Sequence, residues 1–287
     1  MKLVLHFATF LSPNLYRTHE YIASYIGEKL GYSTLLTLGD KQSLEGFARG
    51  QVHIGFICGL PYTHMTKQST CPIELLAAPV LEGKRYRGKP IYFSDIIVHR
   101  DSTYTSFEDL RGCTWAYNEQ ASHSGWNLVC YSLLMQGKTP HYFGTTIETG
   151  SHQRSVQMVL EGRADAAAID SHMLDVSFLQ NTNLATMLRI IATLGPSTIP
   201  PVVVSKSLDA ALKYSIRSAL LNMHHELGAA TELRKGLIAR FVPIADEHYH
   251  DIRQMTAQVM DLEGRRTTSE RGYVHSEPSH LGESYVS

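Results

Sequence analysis

Along the chain, short apolar runs alternate with stretches in which apolar positions recur every three or four residues. Leu3 to Ala8 make the first run, the pattern of a buried strand. A loop at Thr9 to Ser12 follows, and Pro13 stands where a first helical residue sits, because its missing N–H is not needed there. Leu15, Ile22, Ile26 and Leu30 then hold a helical stripe that Gly31 ends. The runs STLLTLG, VHIGFICG and IELLAAPVL read as three further strands, with a short helix at QSLEGFARGQ between the first two. Strands alternating with helices imply a mainly parallel sheet with helices on its faces.

The rhythm changes at KPIYFSDIIVHRDS, a long β-rich run suited to crossing between two units. Ser106 and Asp109 follow with the spacing of a capping box. A second alternation then begins: strand CTWAY, a helix from about Ser124, a strand near PHYFG, a helix from about Ser151, strand ADAAAID and helix SHMLDVSFLQ. LRIIATLGP leads back across. After IPPVVVS the chain turns helical, with Leu208, Leu212, Ala219, Leu220 and Met223 on one face and a last helix expected from Asp246 through Leu262. The pattern therefore predicts an α/β protein of two units, the second inserted into the first through two crossings. Residues 263–287 carry few large apolar side chains and read as a polar tail, surface-hugging or disordered.

Composition narrows the function more than the fold. The 287 residues are 43% hydrophobic and 18% charged, with a formal net charge of −1. No Lys/Arg run provides the clustered field that nucleic acid requires, so any bound anion must be caught by local geometry. No stretch approaches the ~18 consecutive apolar residues of a membrane span. Cys58, Cys71, Cys113 and Cys130 form no CxxC pair, and no His/Cys ladder of zinc spacing surrounds them. Cys58 and Cys113 lie in strand-like runs as expected buried thiols, with disulfides left open. The densest histidines, His224–His225 and His248 with His250, are read as surface, since adjacent helical residues point about 100° apart and do not chelate together. No metal and no cofactor is expected. The N-terminus shows no long apolar core and no small-residue cleavage site, which suits either a cytoplasmic chain or a mature exported one.

The candidate chemistry lies at three helix starts. Thr9 and Ser12 precede the first helix, Ser122, His123, Ser124 and Gly125 precede another, and Gly150, Ser151 and His152 precede a third. Each group follows a strand, hence lies at a carboxyl end of a sheet, where α/β proteins place ligands. A helix start offers unpaired N–H groups and the positive end of a dipole, and small hydroxyls add donors, so an anion site arises without lysine or arginine. Gly125 fits close approach of a ligand to the backbone. Ordinary N-capping explains any one of these serines equally well.

The segments YFSDIIVHRDSTYTSFEDLRGCTWAYNEQASHSGWN and GTTIETGSHQRSVQMVLEGRADAAAIDS resemble the phosphate- and phosphonate-binding proteins of ABC importers, the PhnD-like group. The resemblance spans roughly residues 3 to 260. It implies the two-lobed type II periplasmic-binding-protein fold, with residues 1–93 plus 198–262 in one lobe, 94–197 in the other, and crossover hinges near 94–98 and 193–199. It also implies a transporter permease as partner, a cell-envelope location, and binding without chemistry. The phosphoryl-holding role falls on Ser122, Ser124 and Gly125, with His123 replacing a small residue, and on His152 beside Ser151. Tyr62 and Tyr92 are implied to line the cleft, and Asp170 to meet the rest of the ligand. GPSTIPPVVVS holds Ser197 and Thr198 but no carboxylate for an amine, which favours phosphate, phosphite or a simple phosphonate. Two rivals stand beside this: a cytoplasmic ligand-binding or sensor protein of the same fold, such as a pyrimidine-precursor binder, and a hydrolase using Ser122 or Ser124 with His152 and Asp170, which lacks a G-x-S-x-G elbow.

Overall fold

A computed structural model describes residues 4–272. The first part of the chain gives β1 (Val4–Thr9), α1 (Tyr16–Leu30), β2 (Ser33–Leu38), α2 (Lys41–Gly46), β3 (Ile54–Phe56), α3 (Gly59–Thr66), β4 (Ile73–Leu81) and β5 (Ile91–His99). The middle gives β6 (Thr114–Tyr117), α4 (Leu128–Met135), β7 (Thr145–Glu148), α5 (His152–Leu160), β8 (Ala166–Asp170), α6 (Ser171–Gln180), α7 (Thr182–Met187) and β9 (Leu188–Thr198). Then come β10 (Val202–Ser205), α8 (Ala210–Asn222), α9 (Leu227–Lys235), β11 (Ile238–Val242) and α10 (His250–Gly272).

Two sheets result, β11-β4-β10-β3-β1-β2 and β7-β6-β8-β5-β9, and each carries one lobe. Neither is mainly parallel, contrary to the expectation from alternation. β1 runs parallel to β2 and β3, but β10 inserts antiparallel between β3 and β4, and β11 is antiparallel to β4. In the second sheet β6 is parallel to β7 and β8, whereas β5 is antiparallel to β8 and β9. Two of the reversed strands, β5 and β10, are the first in their lobe after a crossing, whereas β11 lies between α9 and α10 within the first lobe. Strand direction depends on these connections, which helical spacing does not record.

The second sheet shows why its strands read as near-continuous apolar runs. Ile96, Val98, Trp115, Ala166 and Ala168 face one core with Val129 and Leu133, while Ile97, Ala116, Ala167 and Ile169 face another with Val156 and Val159. Successive side chains alternate faces, and both faces are covered by helices. Ser106 and Asp109 make the reciprocal bonds of a capping box, Asp109 N–H to Ser106 Oγ at 3.3 Å and Ser106 N–H to Asp109 Oδ2 at 2.9 Å.

Three expectations need correction. PHYFG is a tight helical turn at Pro140–Tyr142, and the strand is the polar TTIE of β7, an edge strand whose pattern lacks an apolar run. The last helix continues past Leu262 to Gly272, into the segment read as irregular; residues 273–287 lie outside the described region. Residues 94–98 lie inside the second sheet and not at the crossing itself. Ser94 to Val98 pair with β8 on one side and β9 on the other, deep in the sheet. Only the start of β5, with Ile91 opposite Thr198 and Tyr92 opposite Ser197, is a two-stranded crossing.

At that crossing Arg85 binds Asp95 through both carboxylate oxygens, at 2.7 and 2.9 Å, and lies 3.7 Å from Asp175 of α6. Tyr86 donates to Asp175 at 2.5 Å, and Thr193 to Asp95 at 2.8 Å. Asp95 is fully buried, so these donors compensate a charge that would otherwise be costly.

Candidate ligand-binding site

A cavity of about 360 Å³ lies between the two sheets. From the second lobe its wall comprises Asn118, Ser122, Ser124, Ser151, His152 and Asp170. These sit just beyond β6, β7 and β8, so the wall is the carboxyl edge of one sheet with two helix starts standing on it. From the first lobe come Thr9, Ser12, His19 and Cys58, together with apolar residues that include Phe10, Leu11, Leu38 and Ile199. Among the described residues that line the cavity, none is Lys or Arg.

The serine turn has a specific local cause. After β6 the chain passes Ser122, whose Oγ accepts from Gly125 N–H at 3.0 Å, and enters a wide π-helical turn, His123–Asn127, before α4. Asn127 N–H reaches Ser122 O at 3.1 Å, five residues back. Ser94 Oγ of β5 donates to the Ser124 carbonyl at 2.7 Å and fixes the turn against the sheet. Ser151 caps α5 in the same way, accepting from Arg154 N–H at 3.2 Å, and Gly150 before it has a φ of 84° that favours glycine. The two starts converge: Ser124 Oγ lies 3.4 Å from His152 Nε2.

From the opposite side Thr9, at the end of β1, places its Oγ1 2.9 Å from His19 Nδ1, and the His19 ring stacks on Phe56 with centroids 4.0 Å apart. His172 Nε2–H donates to the Gly236 carbonyl at 2.6 Å, a bond between lobes. Asn14 adds others, donating to the Met173 carbonyl and Ser177 Oγ at 3.0 Å each. Burial holds the imidazoles neutral: it lowers His19 to about 3, with His172 adding to the effect, and His152 and His172 to about 4. Burial acts oppositely on Asp170, raising it to about 7 with help from Asp95 and Asp175, although two backbone amides of α6 resist the shift. The Cys58 thiol is pushed up to about 11 by burial. The site therefore offers neutral donors and helix dipoles, the means of holding an oxyanion without a counter-cation.

Six of the residues expected from the sequence reach the cavity: Thr9, Ser122, Ser124, Ser151, His152 and Asp170. Four do not. His123 turns inward, its Nε2 2.9 Å from Ser197 Oγ and its Nδ1 3.0 Å from Asn127 Nδ2, because the wide turn rotates it away from the cleft. Gly125 is behind the wall, and its missing Cβ serves another purpose than ligand approach. A methyl there would lie 1.8 Å from Asn118 Oδ1, so glycine makes room for that carboxamide. Tyr62 belongs to the first lobe's core, its ring centroid 4.7 Å from that of Tyr249 at a tilt of 57° and its hydroxyl donating to Asp246 at 2.6 Å. Tyr92 is buried at the crossing, its ring 6.4 Å from His123.

Sequence reasoning missed Asn118, Glu119, His19, His172 and Cys58. Asn118 and Glu119 had a usable signal, since they follow strand CTWAY at a carboxyl end. They and Asp170 also supply carboxyl or carboxamide groups where GPSTIPPVVVS offered none. Glu119 is exposed at the rim. Asp170 spends Oδ1 on the amides of His172 and Met173, at 2.8 and 3.1 Å, as the cap of α6. His152 Nδ1 points toward the Ala168 carbonyl without completing a hydrogen bond. The serine–histidine–aspartate arrangement of a hydrolase is therefore not assembled.

Elsewhere, His248 and His250 are exposed, while His224 is half-buried with its ring 3.9 Å from His225. Among the described residues no group of three His, Cys, Asp or Glu is placed to hold a metal, all four cysteines are free thiols, and no helix is long and apolar enough to cross a membrane.

Residues 6–249 match the family of ABC transporter, phosphonate, periplasmic substrate-binding proteins, and the chain belongs to that family. Its fold is similar to that of a binding-protein component of an ABC phosphonate transporter from Pseudomonas aeruginosa, at a TM-score of 0.80 and 19% identity over 91% of this chain and 87% of the other. It is also similar to PhnD1 from Prochlorococcus marinus, solved in complex with methylphosphonate, at a TM-score of 0.75 and 14% identity over 89% and 98% of the two chains. At these identities the likeness is one of fold. A transferrin from Blaberus discoidalis is 41% identical over 44 residues, which span 15% of this chain and 6% of its own length.

Proposed function

We propose that this member of the phosphonate-binding family captures a small phosphorus oxyanion, phosphate, phosphite or a simple phosphonate, in the cavity between its lobes and delivers it to an ABC permease. One observation carries the reading. Two capped helix starts at Ser122 and Ser151 meet Thr9 of the opposite lobe on one cavity, with Ser124 and His152 in contact. Their amides, hydroxyls and neutral imidazole match the acceptor oxygens of a tetrahedral anion. Closure about the crossing of β5 and β9 then surrounds the ligand with fixed donors, and the Asn14 and His172 bonds hold the lobes together.

Isothermal titration calorimetry of ligand-stripped protein tests this with phosphate, phosphite, methylphosphonate and sulfate. The expected result is saturable binding of at least one phosphorus oxyanion, weakened about 10- to 100-fold by Ser124→Ala and by His152→Ala, the loss appropriate to a hydrogen bond to a charged group. Absence of heat with every phosphorus oxyanion refutes the reading.

A further inference from the structure

Resting on that reading of the cleft, we propose that His123 is a positioning residue that ties the turn carrying Ser124 to the crossing strand β9 through Ser197. Lobe closure and the placing of the oxyanion donors are then one motion. His123 lies outside the cavity, while its neighbour Ser124, in the same π-helical turn, is on the cavity wall. Turns of this kind are rare and recur at functional sites. This one is held from behind. The His123 imidazole is fully buried and uses both nitrogens. Asn127 Nδ2 can only donate, at 3.0 Å, so Nδ1 accepts and Nε2–H donates to Ser197 Oγ at 2.9 Å. Burial, which lowers the ring to about 3, keeps it in this neutral state. The His123 amide in turn points to the Cys58 thiol, at the start of α3 in the first lobe.

Ser197 gives the bond its reach. It stands opposite Tyr92 in the two-stranded crossing. The next two residues are anchored to the first lobe: Thr198 Oγ1 donates to the His248 carbonyl, and the Ile199 carbonyl accepts from the Tyr249 hydroxyl at 2.9 Å. A continuous path therefore runs from the first lobe through the end of β9 and the imidazole to the turn that bears Ser124. A small side chain at position 123 would leave Ser197 and Asn127 without this partner. Buried polar networks with every member satisfied fix one geometry, and losing one member leaves its neighbour unpaired.

The test is a double-mutant cycle on the ligand-stripped full chain, with phosphate, phosphite and methylphosphonate as probes. Calorimetry gives affinity, and stopped-flow tryptophan fluorescence gives the rates, with Trp126 inside the turn as a reporter. Ser197→Ala removes only a hydroxyl and should weaken binding about tenfold, as when a buried donor loses its acceptor. The loss should fall on the dissociation rate and leave association within about twofold of wild type. His123→Leu should lose at least as much, and adding Ser197→Ala to it should cost less than about twofold more. His123→Gln, whose amide N–H extends about as far as Nε2, should stay within about threefold of wild type, whereas the shorter His123→Asn should not. A structural role alone would lower Tm without this split in rates or this rescue. Wild-type affinity in Ser197→Ala, additive losses in the double variant, or equal affinities of the Gln and Asn variants overturns the coupling and leaves the oxyanion site standing. Failure of the wild-type chain to bind any of the three probes overturns both.

Discussion

The two walls of the cavity are built by different means. The second lobe's wall is made of Asn118, Ser122, Ser124, Ser151, His152 and Asp170, of which Ser122, Ser124, Ser151 and Asp170 are fixed by bonds to a turn, a helix start or a neighbouring strand. The first lobe's wall is mostly aliphatic and aromatic, held by packing on a single large core that runs from Leu5 to Ile252. Hydrogen bonds are directional and fail over a fraction of an ångström, whereas apolar contact is nearly indifferent to orientation. The polar wall is therefore expected to be intolerant of small changes, and the apolar one to adjust its preferences gradually.

The largest break in that contrast comes from Gly125→Ala. Its methyl must displace Asn118, which lines the cavity, and overpacking of this kind costs about 1–3 kcal/mol. Differential scanning calorimetry should show a clearly lowered Tm, and phosphonate affinity should fall at least tenfold. Wild-type behaviour in both would mean that Asn118 is not held where the polar wall needs it.

Acid comes next. His123, His152 and His172 of the second lobe and His19 of the first are buried and held near 3 to 4, below the ordinary 6.5. Neutral imidazole is thus favoured by folding, and the contribution is fully present above pH 6.5 and lost as pH falls through 4 to 3. Stability should drop steeply over that window. Amide exchange near pH 5 should quicken first around the serine turn and the start of α5, and uniform protection in both lobes would contradict the assignment.

Asp170 sharpens the comparison with the opposite sign. Its folded value of about 7 lies above the ordinary 3.8, so the neutral carboxyl is favoured by folding. That contribution is fully present below about pH 4 and lost as pH rises through 7. Asp170→Asn keeps a capping side chain and should flatten the decline in Tm between pH 5 and 8. An unchanged profile would remove Asp170 as its source. The smallest effect is expected from Tyr62→Phe, which loses one hydrogen bond to Asp246 in the first lobe's core, worth about 0.5–1.5 kcal/mol. Phosphonate affinity should stay within twofold, and a larger change would return Tyr62 to the ligand.

Much of the local framework was written in the order of residues. Pro13 before α1, Gly31 after it, Ser122 and Ser151 as caps, and the apolar runs of β1, β4, β5 and β8 all depend on interactions within a few positions of the chain. For that reason six candidate ligand residues could be named from helix starts, strand ends and resemblance together. The π-helical turn was not legible, and it moved His123 away from the cleft and onto Ser197, 74 residues on. Tyr62 was misplaced because its hydroxyl partner, Asp246, lies 184 residues away.

The sequence by itself determined the alternation of elements, the caps and the lack of a Lys/Arg run, because propensity, capping and charge patterning are properties of neighbouring residues. Only the tertiary structure decided the reversed direction of β10, the crossing at Tyr92 and Ser197, the need for glycine beside Asn118, and the facing of an apolar wall toward a polar one. Each of these depends on which distant segments occupy the same space, and close packing fixes that for the whole chain at once.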